Sequence, residues 1–531
     1  MNRQNTIVYP QLPTWPNMKR LVVAAALVFA TLAAAQVDTA WVRTYDGPAH
    51  LNDVATAVGV DDSGYVYVAG WTDGANWDQG WLIIKYSPNG DTVWTRRPTD
   101  ATAYYNSPKD LVVDNRGNVC VTGRFSPNGD YGFLTVEYSR GGALRWSATY
   151  DTSSNGDTAC ASVVVDSSGS VYVTGSGYRN DTMDYVTLKY DTAGVQKWVS
   201  RYVSPDGSSG SGALAVCPGG TVVVTGGSTG TAGVSDCLTV KYDATTGDTV
   251  WTRRYTGWPY GAAACGVGVA VDSSGNIYVT GTRDSVSTPF FMTLKYDANG
   301  SLKWARYFQR NGNATGIALG PSGLVYVTGR GGSGSDIGFV TVMYDSSGDV
   351  MWSQDYYPGS NQLSFAMSSD SSGNVYITGG GTFPNGSNPI YTVAYDSEGT
   401  CKWVASYSSP WGLGNYSDGL ALDRDGNVIV VGAIETASTG WDWVTVKYIQ
   451  TTGLTGRSPS LGHPERPSAA TVVRASIPVT CLGSRGILID ATGCTVASLD
   501  PKRPGRVDLR PGVYFAISSQ YTSVKKLVVV R

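Results

Sequence analysis

Histidine is nearly absent from this chain of 531 residues, which contains only His50 and His463. A catalytic triad built on histidine, or a metal site that needs several imidazoles, is therefore not predicted. The eight cysteines include no C-x-x-C pair, which argues against a zinc site. The net charge is −3 and no basic stripe is present, so nucleic acid is not a predicted partner.

Helical periodicity and long hydrophobic runs are also missing after the first 40 or so residues. Glycine is abundant instead, at 66 residues, and tyrosine, valine and threonine are frequent. This composition predicts an all-β protein with many turns.

The one hydrophobic run near the N-terminus has the order of a secretory signal. Lys19 and Arg20 precede the apolar residues 21–32, and three alanines ending at Ala35 follow them. The run is too short to span a membrane, so no transmembrane segment is predicted in the mature chain. We assign residues 1–35 to an N-terminal extension and signal peptide. Met18 is an alternative start to Met1, and sequencing of the precursor's N-terminus would distinguish them.

The stretch V-D-S-S-G-N-I-Y-V-T-G, from Val271 to Gly281, defines the repeat of this chain. Two β-rich runs flank a short turn, which predicts a hairpin. Asp272 is expected to accept hydrogen bonds from nearby backbone N–H groups, and Gly275 to supply a positive φ.

Copies of this stretch recur about every 50 residues and end at a glycine. These are Gly70, Gly123, Gly175, Gly226, Gly281, Gly329, Gly379 and Gly432. A tryptophan series has the same period: Trp41, Trp94, Trp146, Trp198, Trp251, Trp304, Trp352 and Trp403. A second hairpin lies between each glycine and the next tryptophan. Four strands per period predict a β-propeller blade.

The two ends of the repeat region complement each other. The strand that contains Trp41 precedes the first glycine unit, whereas the last repeat ends at Tyr448 without a tryptophan strand. An N-terminal strand that joins the last blade would leave no open sheet edge. We therefore predict an eight-bladed β-propeller of four-stranded blades over residues 36–450, closed by the N-terminal strand.

The pattern changes after Tyr448. Residues 451–470 are rich in Pro, Gly and Ser and are predicted to be a linker. Residues 471–531 contain short β-rich runs that predict a small β-sandwich. The cysteines are interpreted as small buried hydrophobic residues. Cys481 and Cys494 are an alternative, a candidate cross-link within the tail that sequence alone does not assign.

The repeated V-D-x-x-G-N-x-Y-V-T-G and K-Y-D-x-x-G-x-x-x-W segments resemble the bacterial SBBP β-propeller repeats. The resemblance implies the propeller fold and a secreted or cell-surface setting, but no uniform activity. A weaker resemblance to quinoprotein dehydrogenase propellers rests on Asp243, Thr246, Gly247 and Trp251. Because adjacent cysteines are absent, no quinone cofactor is assigned, and the tryptophans are predicted to pack between blades.

The tail resembles the C-terminal sorting domain of type IX secretion cargo. The motif residues are Asp490, Gly493, Gly512, Val513, Tyr514, Lys526 and Arg531. The resemblance implies that the secretion machinery is a partner and that the protein is secreted or attached to the outer cell surface. An accessory module that merely ends the chain is the alternative.

Long, varied loops are predicted on one face of the propeller, and short Asp-x-x-Gly turns on the other. Aromatic side chains in the long loops are candidate ligand contacts, with packing over the blade rims as the alternative. The candidates are Trp71, Trp77, Trp258, Trp411 and Trp441. We predict a binding or interaction module for a glycan or protein partner.

An extracellular propeller enzyme, either a hydrolase or lyase or a quinoprotein-like protein, is the alternative function. Several carboxylates break the repeat, but their spacing gives no recognisable acid/base pair, so no catalytic residue is assigned. They are Asp73, Asp78, Asp181, Asp184, Glu435 and Asp442. No metal or cofactor is assigned either. Each Asp-x-x-Gly turn offers one carboxylate, which is fewer oxygen ligands than the six to eight that Ca²⁺ needs.

Overall fold

The computed structural model describes two compact units, within residues 1–455 and 456–531. In the first it describes residues 36–451, except 76–78, 99–105, 127–130, 152–158, 180–181, 205–206, 231–232, 257–262, 285–288, 334–335, 358–359, 383–387 and 410–413. In the second it describes residues 475–478, 486–490, 495–499, 506–509, 512–518 and 524–529. The predicted signal peptide and all but the first residue of the predicted linker lie outside these ranges.

The described part of the first unit starts with strand β1 (Gln36–Tyr45), and the strands that follow form successive blades. Blade 1 contains β2 (Asp53–Val60), β3 (Val66–Asp73), β4 (Gln79–Tyr86) and β5 (Thr92–Arg96). Blade 2 contains β6 (Ser107–Val113), β7 (Val119–Phe125), β8 (Gly132–Tyr138) and β9 (Leu144–Asp151). Blade 3 contains β10 (Ala159–Val165), β11 (Val171–Arg179), β12 (Thr182–Tyr190) and β13 (Gln196–Tyr202).

The middle of the chain repeats this arrangement. Blade 4 contains β14 (Ser209–Cys217), β15 (Thr221–Thr229), β16 (Ser235–Asp243) and β17 (Thr249–Tyr255). Blade 5 contains β18 (Ala264–Val271), β19 (Ile277–Asp284), β20 (Pro289–Tyr296) and β21 (Leu302–Phe308). Blade 6 contains β22 (Asn313–Leu319), β23 (Val325–Ser333), β24 (Asp336–Tyr344) and β25 (Val350–Tyr356).

The last two blades complete the ring. Blade 7 contains β26 (Ser360–Ser369), β27 (Val375–Thr382), β28 (Ile390–Tyr395) and β29 (Cys401–Tyr407). Blade 8 contains β30 (Asn415–Leu422), β31 (Val428–Thr436) and β32 (Gly440–Thr451), and β1 is its outermost strand. Every blade is a four-stranded sheet whose neighbouring strands are antiparallel and follow one another in sequence, apart from β1.

Closure occurs in blade 8, as the sequence predicts. Strand β1 pairs with β32 from Gln36 opposite Thr451 to Tyr45 opposite Trp443. The first strands of neighbouring blades contact one another around the whole ring, including β30 of blade 8 against β2 of blade 1. The predicted eight-bladed propeller, closed by the N-terminal strand, is confirmed.

The Asp-x-x-Gly turns form through the hydrogen bonds expected from the sequence. Asp272 Oδ1 accepts from the backbone N–H groups of Ser274 at 3.0 Å and Asn276 at 2.9 Å. Its other oxygen accepts from the Tyr278 hydroxyl at 3.1 Å. Gly275 has φ +79°, a conformation that a residue with a Cβ rarely adopts. Each turn is therefore held by its own aspartate.

The glycine that ends each repeat is needed for close approach of two strands. Gly281 lies opposite Gly266, beside an irregularity in β18, and a Cβ at Gly281 would overlap the carbonyl oxygen of Cys265. The same overlap with the backbone of the first strand would occur at Gly70, Gly123, Gly226, Gly329 and Gly432. A glycine at this position of the repeat therefore leaves room for the irregular first strand of the blade.

Gly281→Ala is expected to lower the free energy of unfolding by about 1–3 kcal/mol, because the backbone of β18 must move to admit the methyl group. Gly141→Ala is the matched control, since a Cβ there meets only Ser139 Oγ, at 3.9 Å. Denaturant unfolding of both variants measures the difference. Equal stability of the two variants would contradict the steric explanation.

The repeated tryptophans connect neighbouring blades, and this confirms their predicted structural role. Trp251 of blade 4 donates its indole N–H to the carbonyl oxygen of Ala298 in blade 5, at 3.3 Å. The equivalent bond to the next blade is made by Trp41, Trp94, Trp198, Trp304 and Trp352. Trp146 and Trp403 donate instead to Glu137 and Gln450. Seven of these rings are buried, and Trp352 is partly so.

The described cysteines are free thiols, and only some fit the prediction of burial. Cys120, Cys160, Cys217 and Cys237 are buried, and burial raises the pKa of each thiol. Cys265 and Cys401 are exposed, so the prediction is wrong for these two. Cys401 begins the outer strand of blade 7, where alternate side chains face solvent. Cys481 and Cys494 lie outside the described residues.

The described residues of the second unit form two groups of strands. Strand β33 (Ala475–Pro478) pairs with β36 (Arg506–Leu509). A second sheet has the order β35 (Thr495–Leu499), β34 (Gly486–Asp490), β37 (Gly512–Ser518) and β38 (Val524–Val529). Of the predicted sorting-motif residues, Asp490, Gly512, Val513, Tyr514 and Lys526 lie on these strands, whereas Gly493 and Arg531 lie outside the described residues. The sandwich and its sorting role stay predictions.

Candidate functional site

The antiparallel order of the strands puts two kinds of connection on one face, which we call the loop face. These are the loops between second and third strands and the connections between blades. The short Asp-x-x-Gly turns lie on the opposite face. Of the predicted ligand-contact residues, Trp71 lies near the end of β3 and Trp441 near the start of β32, so both lie near the loop face, in adjacent blades. Trp77, Trp258 and Trp411 lie outside the described residues.

An aromatic pair stands at the loop face of blade 8. The rings of Tyr416 and Trp441 meet edge to face, with their centroids 5.0 Å apart. Gly414 lies against the indole, and a Cβ there would be 2.7 Å from Trp441 Cη2. Both aromatic residues are partly exposed. This geometry holds the indole in one orientation while leaving part of it open to a ligand.

Asn52 connects blade 1 to this aromatic pair. Its amide nitrogen donates to Asp73 Oδ2 at 3.0 Å, and its amide oxygen accepts from the backbone N–H of Trp441 at 3.2 Å. Asn52 and Trp441 are 389 positions apart in the chain. We call this region, where the loop faces of blades 8 and 1 meet, the seam. The seam forms because ring closure brings blade 8 next to blade 1.

Three carboxylates converge at the seam. Asp46, Asp53 and Asp442 each offer an oxygen atom that lies within 4.8 Å of the others. Asp53 is only 1% exposed, and its Oδ2 accepts from the backbone N–H of Gly47 at 2.6 Å. Burial, together with the charges of Asp46 and Asp442, raises the pKa of the Asp53 carboxyl to about 7. This is the candidate metal cluster in the described part of the chain.

Sequence reasoning missed Asp46, Asn52 and Asp53, although Asp53 has a detectable signal. It occupies the position at the start of a first strand where blades 2 and 8 have Asn106 and Asn415. Both of those side chains accept a backbone N–H, from Ser126 and Ser409 respectively, as Asp53 does from Gly47. Blade 1 thus replaces a neutral amide by a carboxylate in the same buried role.

The carboxylates that break the repeat do not all come together. Asp73, Glu435 and Asp442 lie at the loop face of blades 8 and 1, where Glu435 Oε2 accepts from the Gly414 N–H at 3.0 Å. Asp184 lies in blade 3 and forms an ion pair with Arg201 at 3.4 Å. Asp78 and Asp181 lie outside the described residues.

A different acid lies on the inner strand of blade 8. Asp418 occurs at the irregularity of β30, and Lys109 occupies the same position in β6 of blade 2. Burial raises the pKa of Asp418 to about 6, and the charge of Lys109 opposes this shift. A carboxyl group of this pKa is suited to proton transfer near neutral pH.

A cavity of about 500 Å³ opens on the face of the short turns, beside blades 3, 4 and 5. It is lined in part by the turn of blade 4, where Cys217-Pro218-Gly219-Gly220 replaces the usual Asp-x-x-Gly. The described structure therefore has concave space on the face opposite the one predicted to bind ligand.

Comparison with protein families gives a match to the SBBP beta-propeller repeat at residues 47–77 and 250–282. The second match contains the stretch from Val271 to Gly281 that defines the repeat. Two segments of the chain thus match the SBBP beta-propeller repeat. A search of curated proteins found no match for this chain.

Solved structures resemble this chain at low identity. Sqt1 from Chaetomium thermophilum is 13% identical, with a TM-score of 0.49, over 77% of this chain and 98% of Sqt1. The beta-propeller domain of the Trilobed protease from Pyrococcus furiosus is 11% identical, with a TM-score of 0.39, over 65% and 96%. The polysaccharide lyase Uly1 is 10% identical, with a TM-score of 0.41, over 76% and 91%.

Proposed function

We propose that this SBBP propeller is a secreted or cell-surface binding module that takes a glycan at the seam. The observation that carries the proposal is the Tyr416–Trp441 pair, fixed edge to face on the loop face. An indole face stacks on the apolar face of a sugar ring, and the neighbouring carboxylates and amide accept or donate hydrogen bonds to its hydroxyl groups. Type IX export through the C-terminal residues is part of the same proposal.

A glycan is favoured over a protein partner by the composition of the seam. Protein interfaces are centred on apolar and aromatic residues with few charges. Here Glu435 lies opposite Trp441 across two strands, Asp442 follows Trp441 in β32, and Asp73 bonds to the Asn52 amide that accepts from the Trp441 N–H. The surplus of carboxylates disfavours anionic polysaccharides, so a neutral sugar chain is the expected ligand.

Trp441→Ala is expected to weaken glycan binding by at least about tenfold, because it removes the ring on which the sugar would stack. A panel of neutral and acidic polysaccharides identifies the ligand, and calorimetric titration of the full chain measures the affinity. Leu302→Ala is the control. Leu302 is 46% exposed and begins β21 in blade 5, at the short-turn end of the strand and so away from the loop face. Thermal unfolding must show that both variants are folded.

Normal binding by both Trp441→Ala and Tyr416→Ala would contradict the proposal, as would the absence of any saturable glycan binding. If the chain instead bound a protein saturably and lost that binding in the same variants, the position of the site would stand but its ligand would be a protein. Loss of binding only on substitution beside the cavity of blades 3 to 5 would place the binding site on the short-turn face.

A hydrolase or lyase is the second candidate, and Asp418 is the observation that favours it. Its pKa of about 6 lets it carry or release a proton near neutral pH. Polysaccharide turnover that Asp418→Asn abolishes would support this candidate. Binding without turnover would support the module.

A further inference from the structure

The Asp46–Asp53–Asp442 cluster joins the two ends of the propeller chain. Asp46 directly follows β1, Asp53 opens the first strand of blade 1, and Asp442 is near the start of β32. A ligand held by all three carboxylates would link three parts of the propeller: the segment that follows β1, the first strand of blade 1 and β32 of blade 8. The cluster therefore lies where the closing strand, blade 8 and blade 1 meet.

One oxygen of the cluster has an unmet need for a partner. Asp53 Oδ1 is buried, and no hydrogen bond to it occurs among the described residues. A buried carboxylate oxygen in this state is costly unless a proton or a cation accompanies it. Asp53 is almost wholly buried and points into the cluster, because one of its oxygens lies within 4.8 Å of the other two carboxylates.

The surrounding groups do not supply the missing positive charge by direct contact. The guanidinium of Arg97 donates to Thr72 at 2.9 Å and to the Tyr45 hydroxyl at 2.6 Å, and its charge reaches Asp53 only over a longer distance. His50 contacts Asp46 through Nδ1 at 2.6 Å. Thr439 donates to Asp442 at 2.8 Å. Each outer carboxylate therefore has one described side-chain partner.

We propose that Asp46, Asp53 and Asp442 bind one divalent cation, Ca²⁺, which fastens the closing strand to blades 8 and 1. Oxygen ligands on opposite sides of a Ca²⁺ ion are about 4.6–5.2 Å apart, because each Ca–O distance is about 2.3–2.6 Å. The observed limit of 4.8 Å fits one such sphere. Water completes the six to eight ligands.

The Ca²⁺ proposal does not rest on the proposed function. Its readouts are cation binding and thermal stability, neither of which requires a glycan. Failure to bind a glycan would leave the cation site intact, and failure to bind Ca²⁺ would leave the aromatic pair as a glycan site. The two proposals can thus fail separately.

The test begins with the full chain freed of divalent ions by EDTA and gel filtration. Calorimetric titration with CaCl₂ is expected to show one site, and a concentration of 100 times Kd should raise the ratio of folded to unfolded protein about 100-fold. Thermal unfolding with and without Ca²⁺ is expected to show a Tm higher by about 3 °C or more in its presence. Mg²⁺ should give a smaller shift, because it requires a shorter and more regular ligand sphere.

Asp53→Asn is the decisive variant, and the chain itself shows that an amide suits this position, since Asn415 accepts from the N–H six residues earlier as Asp53 does. The variant should fold, lose Ca²⁺ binding and show the same Tm with and without Ca²⁺. Asp442→Asn is expected to behave alike, and would decide the matter if Asp53→Asn did not fold. Asp91→Asn, an exposed carboxylate in a short turn, should respond to Ca²⁺ as the unchanged chain does.

The proposal is overturned if the unchanged chain binds no Ca²⁺ at millimolar concentration. It is equally overturned if Asp53→Asn and Asp442→Asn both retain binding and the shift in Tm, because the ion would then bind elsewhere.

Discussion

A chain that lacks residues 36–46 is expected to lose more than about 5 kcal/mol of unfolding free energy relative to a chain that begins at Gln36. Deletion removes β1, whose Trp41 is buried between blades 8 and 1. Loss of one such tryptophan alone costs about 3–5 kcal/mol. The edge of β32 would also lose its partner along the whole of β1. Because folded domains are stable by only about 5–15 kcal/mol, the truncated propeller should be largely unfolded or open at 37 °C.

Calorimetry of the two chains measures this difference, and the chain beginning at Gln36 controls for the loss of the N-terminal extension. Trp41→Ala is the milder variant. It removes the indole N–H bond to Pro88 of blade 1, at 3.0 Å, but leaves β1 able to pair with β32. Unfolding of the truncated and control chains at the same temperature would show that β1 does not hold the ring closed.

The fold could be predicted from sequence because each local rule is repeated in many blades. The Asp272 turn illustrates this: an aspartate, two small residues and a glycine specify a hairpin without help from the rest of the chain. The strand that contains Trp41 has no repeat before it, and the last repeat lacks a tryptophan strand. These two facts together predicted which strands would pair. Both arguments use spacing along the chain, which is visible in the sequence.

The seam could be predicted only in part, because its residues are distant in sequence and do not follow the repeat. Trp441 and Asp442 were identifiable as departures from the pattern. Asn52 and Asp53 were not, since their importance depends on contacts with residues from the other end of the chain. A comparison of Asp53 with Asn106 and Asn415 would have shown a charge where blades 2 and 8 have an amide.

Ring closure explains why several of the departures from the repeat lie at the seam. Blades 1 to 7 each consist of consecutive strands, whereas blade 8 combines β30, β31 and β32 with β1. The connection from β1 to β2 therefore crosses between blades at the one place where the chain meets its own beginning. Two residues of that connection contact the last blade: Asn52 accepts from the Trp441 N–H, and Asp46 lies in the carboxylate cluster with Asp442.

Trp251→Ala is expected to lower the free energy of unfolding by about 3–5 kcal/mol, the usual cost of removing a buried tryptophan ring. Trp251 is 8% exposed, packs 6.2 Å from the ring of Tyr296, and donates to the Ala298 carbonyl of blade 5. Gly300 lies against it, where a Cβ would be 2.9 Å from Trp251 Cδ2. Val250→Ala is the matched control, because the neighbouring side chain on the same strand is 52% exposed and should change stability by less than about 0.5 kcal/mol. Denaturant unfolding of the two variants tests the role of the repeated tryptophan. Similar stability of both would show that the blades are held together by their inner strands alone.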